Sequence, residues 1–173
     1  MRKAAFFLVF LSVVIFSCKN NKQKLVGQWH SVRLENADID SFFVKSQQYI
    51  DTIGKNNDPA TNMAVYGTVN MDSLRTLMQE QYDSAKSIQV RSVTNTIFRF
   101  AKDSLLFISF NGNNDTCKWY IDANNKIQVE DLMKGGTGEK MTWELLELTD
   151  TSLVLRIPQD STFSKVTFHP EKP

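Results

Sequence analysis

Few residues of this chain have types and spacings that could do chemistry. The 173 residues include two histidines and two cysteines. His30 and His169 are too few for a metal site, and no Cys/His spacing typical of zinc accompanies them. The acidic residues are scattered through predicted turns, so their spacing assigns neither a catalytic triad nor a carboxylate pair. The sequence therefore predicts no catalytic residues, no metal and no cofactor, and a protein that is not an enzyme.

The two cysteines stand in different contexts. Cys117 alternates with Trp119 and Ile121 in a period of two, which is typical of a small buried side chain. A nucleophilic cysteine needs a nearby base or cation, and the sequence around Cys117 shows none. We therefore expect Cys117 to be a buried structural residue. Cys18 is then the candidate for a modified cysteine.

Cys18 follows a segment with the pattern of an export signal. Arg2 and Lys3 precede an apolar run over residues 4–16, and Ser17 follows the run. A basic start, about 7–15 apolar residues and a small residue are typical of a secretory signal. The run is also shorter than the roughly 20 residues needed to span a bilayer.

Residues 14–18, Val-Ile-Phe-Ser-Cys, resemble the lipobox of bacterial lipoproteins, although Phe16 is bulkier than is usual there. The resemblance implies removal of residues 1–17 as a lipoprotein signal peptide and acylation of Cys18, by chains such as palmitate. Residues 18–24 would then form a polar tether. Lys19 is not the aspartate typical of inner-membrane retention, and no acidic run follows. We therefore expect a cell-envelope protein anchored in the outer membrane and facing the periplasm.

The charge balance excludes another class of partner. Lysines and arginines number 20 against 19 acidic residues. Nucleic-acid binding driven by phosphate neutralisation needs a basic face. We expect no nucleic-acid partner.

The rest of the chain divides into two patterns. Residues 25–34 read as a strand, and residues 35–93 form a long insertion with apolar stripes at helical spacing over 39–53 and 74–85. Gly54 would end the first helix, residues 55–59 form a loop, and Asn70 or Asp72 would cap the second helix. From Thr94 the period is two, and predicted strands follow each other at 94–101, 104–110, 115–122, 126–132, 141–148, 152–157 and 162–168.

Short turns between consecutive strands make them antiparallel neighbours. With residues 25–34 the strands number eight, and closing the meander into a barrel removes its two bare edges. The fold class is therefore mainly β: an eight-stranded antiparallel up-and-down barrel over residues 25–173, with a helical insertion (35–93) between strands 1 and 2.

With this strand pattern the chain resembles the lipocalin-like bacterial lipoproteins. Gly27-Gln28-Trp29 is similar to the Gly-x-Trp of the first lipocalin strand, and the final hairpin around residues 143–157 is similar to the closing hairpin of that family. The resemblance implies that Gly27 and Trp29 close the barrel floor and that a late cation, Arg156 or alternatively Lys165, packs on the Trp29 ring.

The same resemblance implies a pocket for a small hydrophobic ligand inside the barrel. The expected lining residues share an inward-facing strand position: Phe98, Phe100, Phe107, Trp119, Trp143 and Leu155. Eight-stranded barrels are also often filled by their own side chains. In that case we expect a non-enzymatic interaction module that docks a protein partner through residues 39–90. The sequence leaves both alternatives open.

Overall fold

The computed structural model describes residues 21–132, 138–159 and 162–171, so the predicted signal peptide and Cys18 lie outside the described residues. These residues form two compact units. The barrel unit comprises the described residues up to Glu35 and from Ser92 onward, and the helical unit comprises Asn36–Arg91.

The barrel unit is a closed eight-stranded antiparallel barrel in which each strand pairs with its neighbours in the chain. The strands are β1 Gly27–Glu35, β2 Ile97–Phe100, β3 Leu105–Phe110, β4 Asn113–Ile121, β5 Lys126–Asp131, β6 Lys140–Leu148, β7 Leu153–Gln159 and β8 Thr162–Pro170. Pairing of β1 with β8, from Trp29 opposite Pro170 to Glu35 opposite Lys165, closes the ring. The predicted fold class is confirmed.

The turns form where the sequence supplies residues that tolerate left-handed backbone. Ser104, Asn111 and Asn125 have positive φ angles of 67°, 50° and 59°. Asparagine accepts this conformation at lower cost than most residues, because its side chain can hydrogen-bond locally. These turns keep the connections short and the strands antiparallel.

The helical unit contains three helices. Helix α1, Ala37–Thr52, begins at the N-cap Asn36, and Gly54 follows it with φ +65°, as predicted. Helix α2, Pro59–Tyr66, was not predicted; Asp58 caps it, and hydrogen bonds from Thr61 lower the pKa of the Asp58 carboxyl.

Helix α3, Met71–Thr94, is longer than predicted, so the strand expected from Thr94 begins only at Ile97. The Asn70 side chain accepts a hydrogen bond from the Ser73 N–H at 3.1 Å, which confirms one of the two predicted caps. At the other end the Thr96 hydroxyl donates to the Ser92 carbonyl oxygen at 2.7 Å. Local side-chain bonds of this kind compete with strand formation. Among the described residues, no helix is both long and apolar enough to cross a membrane.

Contacts between α1 and α3 place the two helices side by side. The rings of Phe43 and Tyr82 meet edge to face with centroids 5.6 Å apart, and the Gln47 and Gln79 amides are hydrogen-bonded at 3.0 Å. The contact positions fall along α1 as they rise along α3, so the helices are antiparallel. Arg75 strengthens the pair by donating two hydrogen bonds to the Ile53 carbonyl oxygen, at 3.1 and 2.9 Å.

Candidate functional site

One end of the barrel is built partly from residues 21–25, of which 21–24 were expected to belong to the tether and Leu25 to the first strand. Residues 21–25 form a helical turn, and Leu25 is fully buried in the barrel core. The Trp29 indole N–H donates to the Leu25 carbonyl oxygen at 2.9 Å. Gly27 lies between them with φ +151°, a conformation that favours glycine. Any tether from residue 18 therefore ends before Asn21, and the Gly-x-Trp pattern has a structural reason.

The cation predicted on Trp29 is wrong. Arg156 lies on the outer face of β7, because its neighbour Leu155 points into the core, and its guanidinium bonds to Glu144 at 2.9 Å. Lys165, the alternative, is also on the outer face and pairs with Glu35 at 3.3 Å.

A cation does pack on a core tryptophan, but it belongs to the helical turn of residues 21–25. The Lys22 ammonium lies 5.5 Å from the centroid of the Trp119 ring and donates to the Ser104 hydroxyl at 3.0 Å. The turn of residues 21–25 is thus held against the barrel by an apolar side chain, Leu25, and by a charged one.

Five of the six residues predicted to line a ligand pocket do share the barrel interior. Phe98, Phe100, Trp119, Trp143 and Leu155 are each at most 6% exposed. Phe107 was placed wrongly. Leu106, next to it, is in the core, and the Phe107 ring lies on the outer face under the Arg99 guanidinium at 3.9 Å.

At the level of these residues the barrel is filled by its own rings. Phe98 stacks on Trp143 with centroids 5.3 Å apart and meets Phe168 at 4.8 Å. The Phe100 and Trp119 rings meet edge to face with centroids 5.0 Å apart. Packing at these distances is that of a protein core rather than of a preformed pocket.

An apolar groove of about 460 Å³ lies instead in the helical unit, between α1 and α3. Most of its lining is apolar or aromatic: Phe42, Phe43, Tyr49, Ile50, Met78, Tyr82 and Ala85. The groove is open, since Phe42 is 60% and Tyr49 50% exposed. The sequence carried one signal for it: the adjacent Phe42 and Phe43 lie about 100° apart around the helix, so together they give it a wide apolar face.

Charged groups border this groove. Lys45 lies in its wall, and the Lys86 ammonium is 5.9 Å from the centroid of the Tyr82 ring. An apolar groove bordered by two cations suits an apolar surface that carries negative charge at its margin.

The prediction that Cys117 is a buried residue is confirmed. The side chain is 3% exposed, and burial raises the pKa of its thiol, with smaller contributions from the negative charges of Asp131 and Asp115. A raised pKa keeps the thiol protonated, which is the unreactive form. His30, by contrast, is only half-buried, on the outer face of β1.

Comparisons with known proteins give no family. No family model matches the chain, and no curated protein matches it. A solved structure of a DUF4847 family protein from Bacteroides vulgatus ATCC 8482 is 11% identical, with a TM-score of 0.43, covering 86% of this chain and 95% of that one. Similarity at this level carries no argument about function.

Proposed function

We propose that this chain is a lipid-anchored cell-envelope protein that docks an apolar helix of a partner protein in the α1–α3 groove. In this proposal the barrel is a rigid, non-catalytic scaffold. The observation that carries it is the open apolar groove between α1 and α3. The groove of about 460 Å³ lies in the helical unit, whereas aromatic rings fill the barrel where the ligand was expected.

A helix is the occupant that suits two antiparallel helices with an apolar groove between them. Laid in the groove, it would complete a three-helix layer and bury the exposed rings of Phe42 and Tyr49, in the manner of other helix-in-groove complexes. From residue 42 to residue 49 the groove wall is about 10 Å long at 1.5 Å per residue. The partner would therefore insert about two turns, with apolar anchors at positions i, i+3 or i+4, and i+7.

The two cations at the border add a charge preference. Lys45 and Lys86 favour a partner helix with acidic residues beside its apolar stripe, and disfavour one with basic residues there. Exposed charges act mainly on selectivity and association rate, while apolar burial supplies most of the affinity.

The lipocalin resemblance supports a different function, the binding of a small hydrophobic ligand in the lumen. That function would require the stacked rings of Phe98 and Trp143 to separate. Lipid extraction of natively purified protein, followed by mass spectrometry, tests it directly.

A defined peptide tests the docking proposal. The probe is an amphipathic helix with leucine at i, i+3, i+4 and i+7 and glutamate flanking the stripe, and its charge-reversed twin carries lysine. We expect the acidic peptide to perturb NMR signals of groove residues and to bind more tightly than the basic one.

Variants of the chain test whether the peptide binds in the groove. Phe42→Ser should abolish peptide binding without unfolding the chain, because Phe42 is 60% exposed. The matched control is Val65→Ser, on α2, which is equally exposed at 62% but does not line the groove. Perturbations outside the groove, or binding that Phe42→Ser leaves intact, would refute the proposal.

The anchor has its own test. Growth of the native host with an alkyne analogue of palmitate should label the wild-type protein and not a Cys18→Ala variant. An unlabelled wild-type protein would remove the lipid anchor from the proposal while leaving the groove untouched.

A further inference from the structure

The only two histidines of the chain, 139 positions apart in sequence, lie directly opposite each other in the barrel. His30 on β1 pairs with His169 on β8, at the seam where the last strand closes onto the first. Side chains of opposed residues in an antiparallel pair share a face, with Cβ atoms about 4.5–5.5 Å apart. Both imidazoles therefore stand together on the outer surface, and both are accessible: His30 is half-buried and His169 exposed.

Two further polar side chains form the next row of the same face. The Glu171 backbone N–H donates to the Gln28 carbonyl oxygen at 2.8 Å, which continues the ladder by one row. The His30 Nε2 atom lies 4.0 Å from a Glu171 carboxylate oxygen and 3.3 Å from the Gln28 amide nitrogen. The result is a two-by-two array of His30, His169, Gln28 and Glu171.

We propose that this array is a surface site for a divalent transition metal, chelated by His30 and His169 with Glu171 as a third ligand. Imidazole suits Cu²⁺, Ni²⁺ and Zn²⁺, and metal–nitrogen and metal–carboxylate distances are about 2.0–2.2 Å. Two donors on one tetrahedral ion are then about 3.4 Å apart, so the 4.0 Å between His30 and Glu171 needs to close by a few tenths of an ångström. Within the described ranges, no three His, Cys, Asp or Glu side chains already surround one point. Binding thus requires the exposed side chains of His169 and Glu171 to rotate inward.

A metal ion at this position would affect the stability of the barrel. An ion held by His30 and His169 would cross-link β1 to β8 and so secure the seam of the barrel. A ligand that binds only the folded state raises the stability of that state. Metal should therefore raise the thermal midpoint of the whole barrel unit.

The test uses the full chain in detergent, produced without a histidine tag, and titrated with CuCl₂, NiCl₂ or ZnCl₂ in calorimetry. We expect one ion to bind per chain. Cu²⁺ should bind more tightly than Ni²⁺, because sites with nitrogen and oxygen donors generally prefer Cu²⁺. His30→Gln and His169→Gln should each lower the affinity at least tenfold and abolish the metal-induced rise in thermal midpoint. Gln28→His, which adds a third imidazole to the array, should tighten binding.

The matched control is Glu35→Gln, which alters another polar cross-strand pair of the same two strands, Glu35 with Lys165, and carries no imidazole. It should leave the metal affinity unchanged. Binding equal in wild type and in both histidine variants, or binding lost equally in the Glu35 variant, would overturn the proposal. Circular dichroism of each variant establishes that any loss is not caused by unfolding.

Discussion

Replacing Leu25 by alanine tests whether the turn of residues 21–25 closes the barrel. Leu25 has no exposed surface, and its carbonyl oxygen receives the Trp29 indole N–H. Truncating a buried leucine to alanine costs about 2–5 kcal/mol of unfolding free energy. The site lies at the end of the barrel, where the turn can shift into part of the vacated space, so we expect about 2–3 kcal/mol.

For a chain of this size, each kcal/mol shifts the thermal midpoint by about 2–4 °C, which predicts a drop of about 4–12 °C. The assays are urea unfolding for the free energy and heating for the thermal midpoint. Both are followed by tryptophan fluorescence, since Trp29, Trp119 and Trp143 are all at most 3% exposed and report on the core. The control is Lys24→Ala in the same turn, whose ion pair with Asp150 at 3.8 Å is at the surface. Such pairs contribute about 0–1 kcal/mol. If Leu25→Ala were no more destabilising than Lys24→Ala, the turn would not be part of the barrel.

Three further outcomes follow from single contacts. Lys22→Met removes the charge over the Trp119 ring but keeps the stem, and should cost about 0.5–1 kcal/mol in urea unfolding; an unchanged midpoint would contradict that contact. Because burial raises the pKa of Cys117, native protein at about pH 8.5, where an exposed thiol is half ionised, should react slowly with iodoacetamide and unfolded protein quickly. Equal rates would place the thiol outside the core. Gly54→Ala forces a β-carbon into left-handed backbone and against the Met71 side chain, and should cost at least about 1 kcal/mol; a more stable variant by circular dichroism would show that the residue is not left-handed.

The eight strands could be predicted because their signals are local. Alternating apolar residues and turn residues such as Asn111 and Asn125 act within a few positions of each other. Closure followed from one further argument, that an open meander leaves two bare edges.

Which face of a strand points inward was harder to predict. Strand β3 is apolar on both faces, so its pattern alone does not decide which face points inward. The prediction that Phe107 points inward was wrong. The structure selects Leu106 for the core, and Arg99 covers Phe107. The Arg156 prediction was wrong for a different reason, because it came from the lipocalin resemblance. The alternation that places Leu155 inside puts Arg156 on the outer face, where it pairs with Glu144.

The sequence by itself determined the number of strands, their order and the place of the insertion, since each depends on the intrinsic preferences of short segments. Only the tertiary structure decided which distant residues meet, such as Lys22 with Trp119 and His30 with His169. Those encounters depend on strand register and on ring closure, which bring together positions as far apart in the chain as Gln28 and Glu171. No turn joins β1 to β8, so their register is set by which faces the closed barrel buries rather than by a local hairpin.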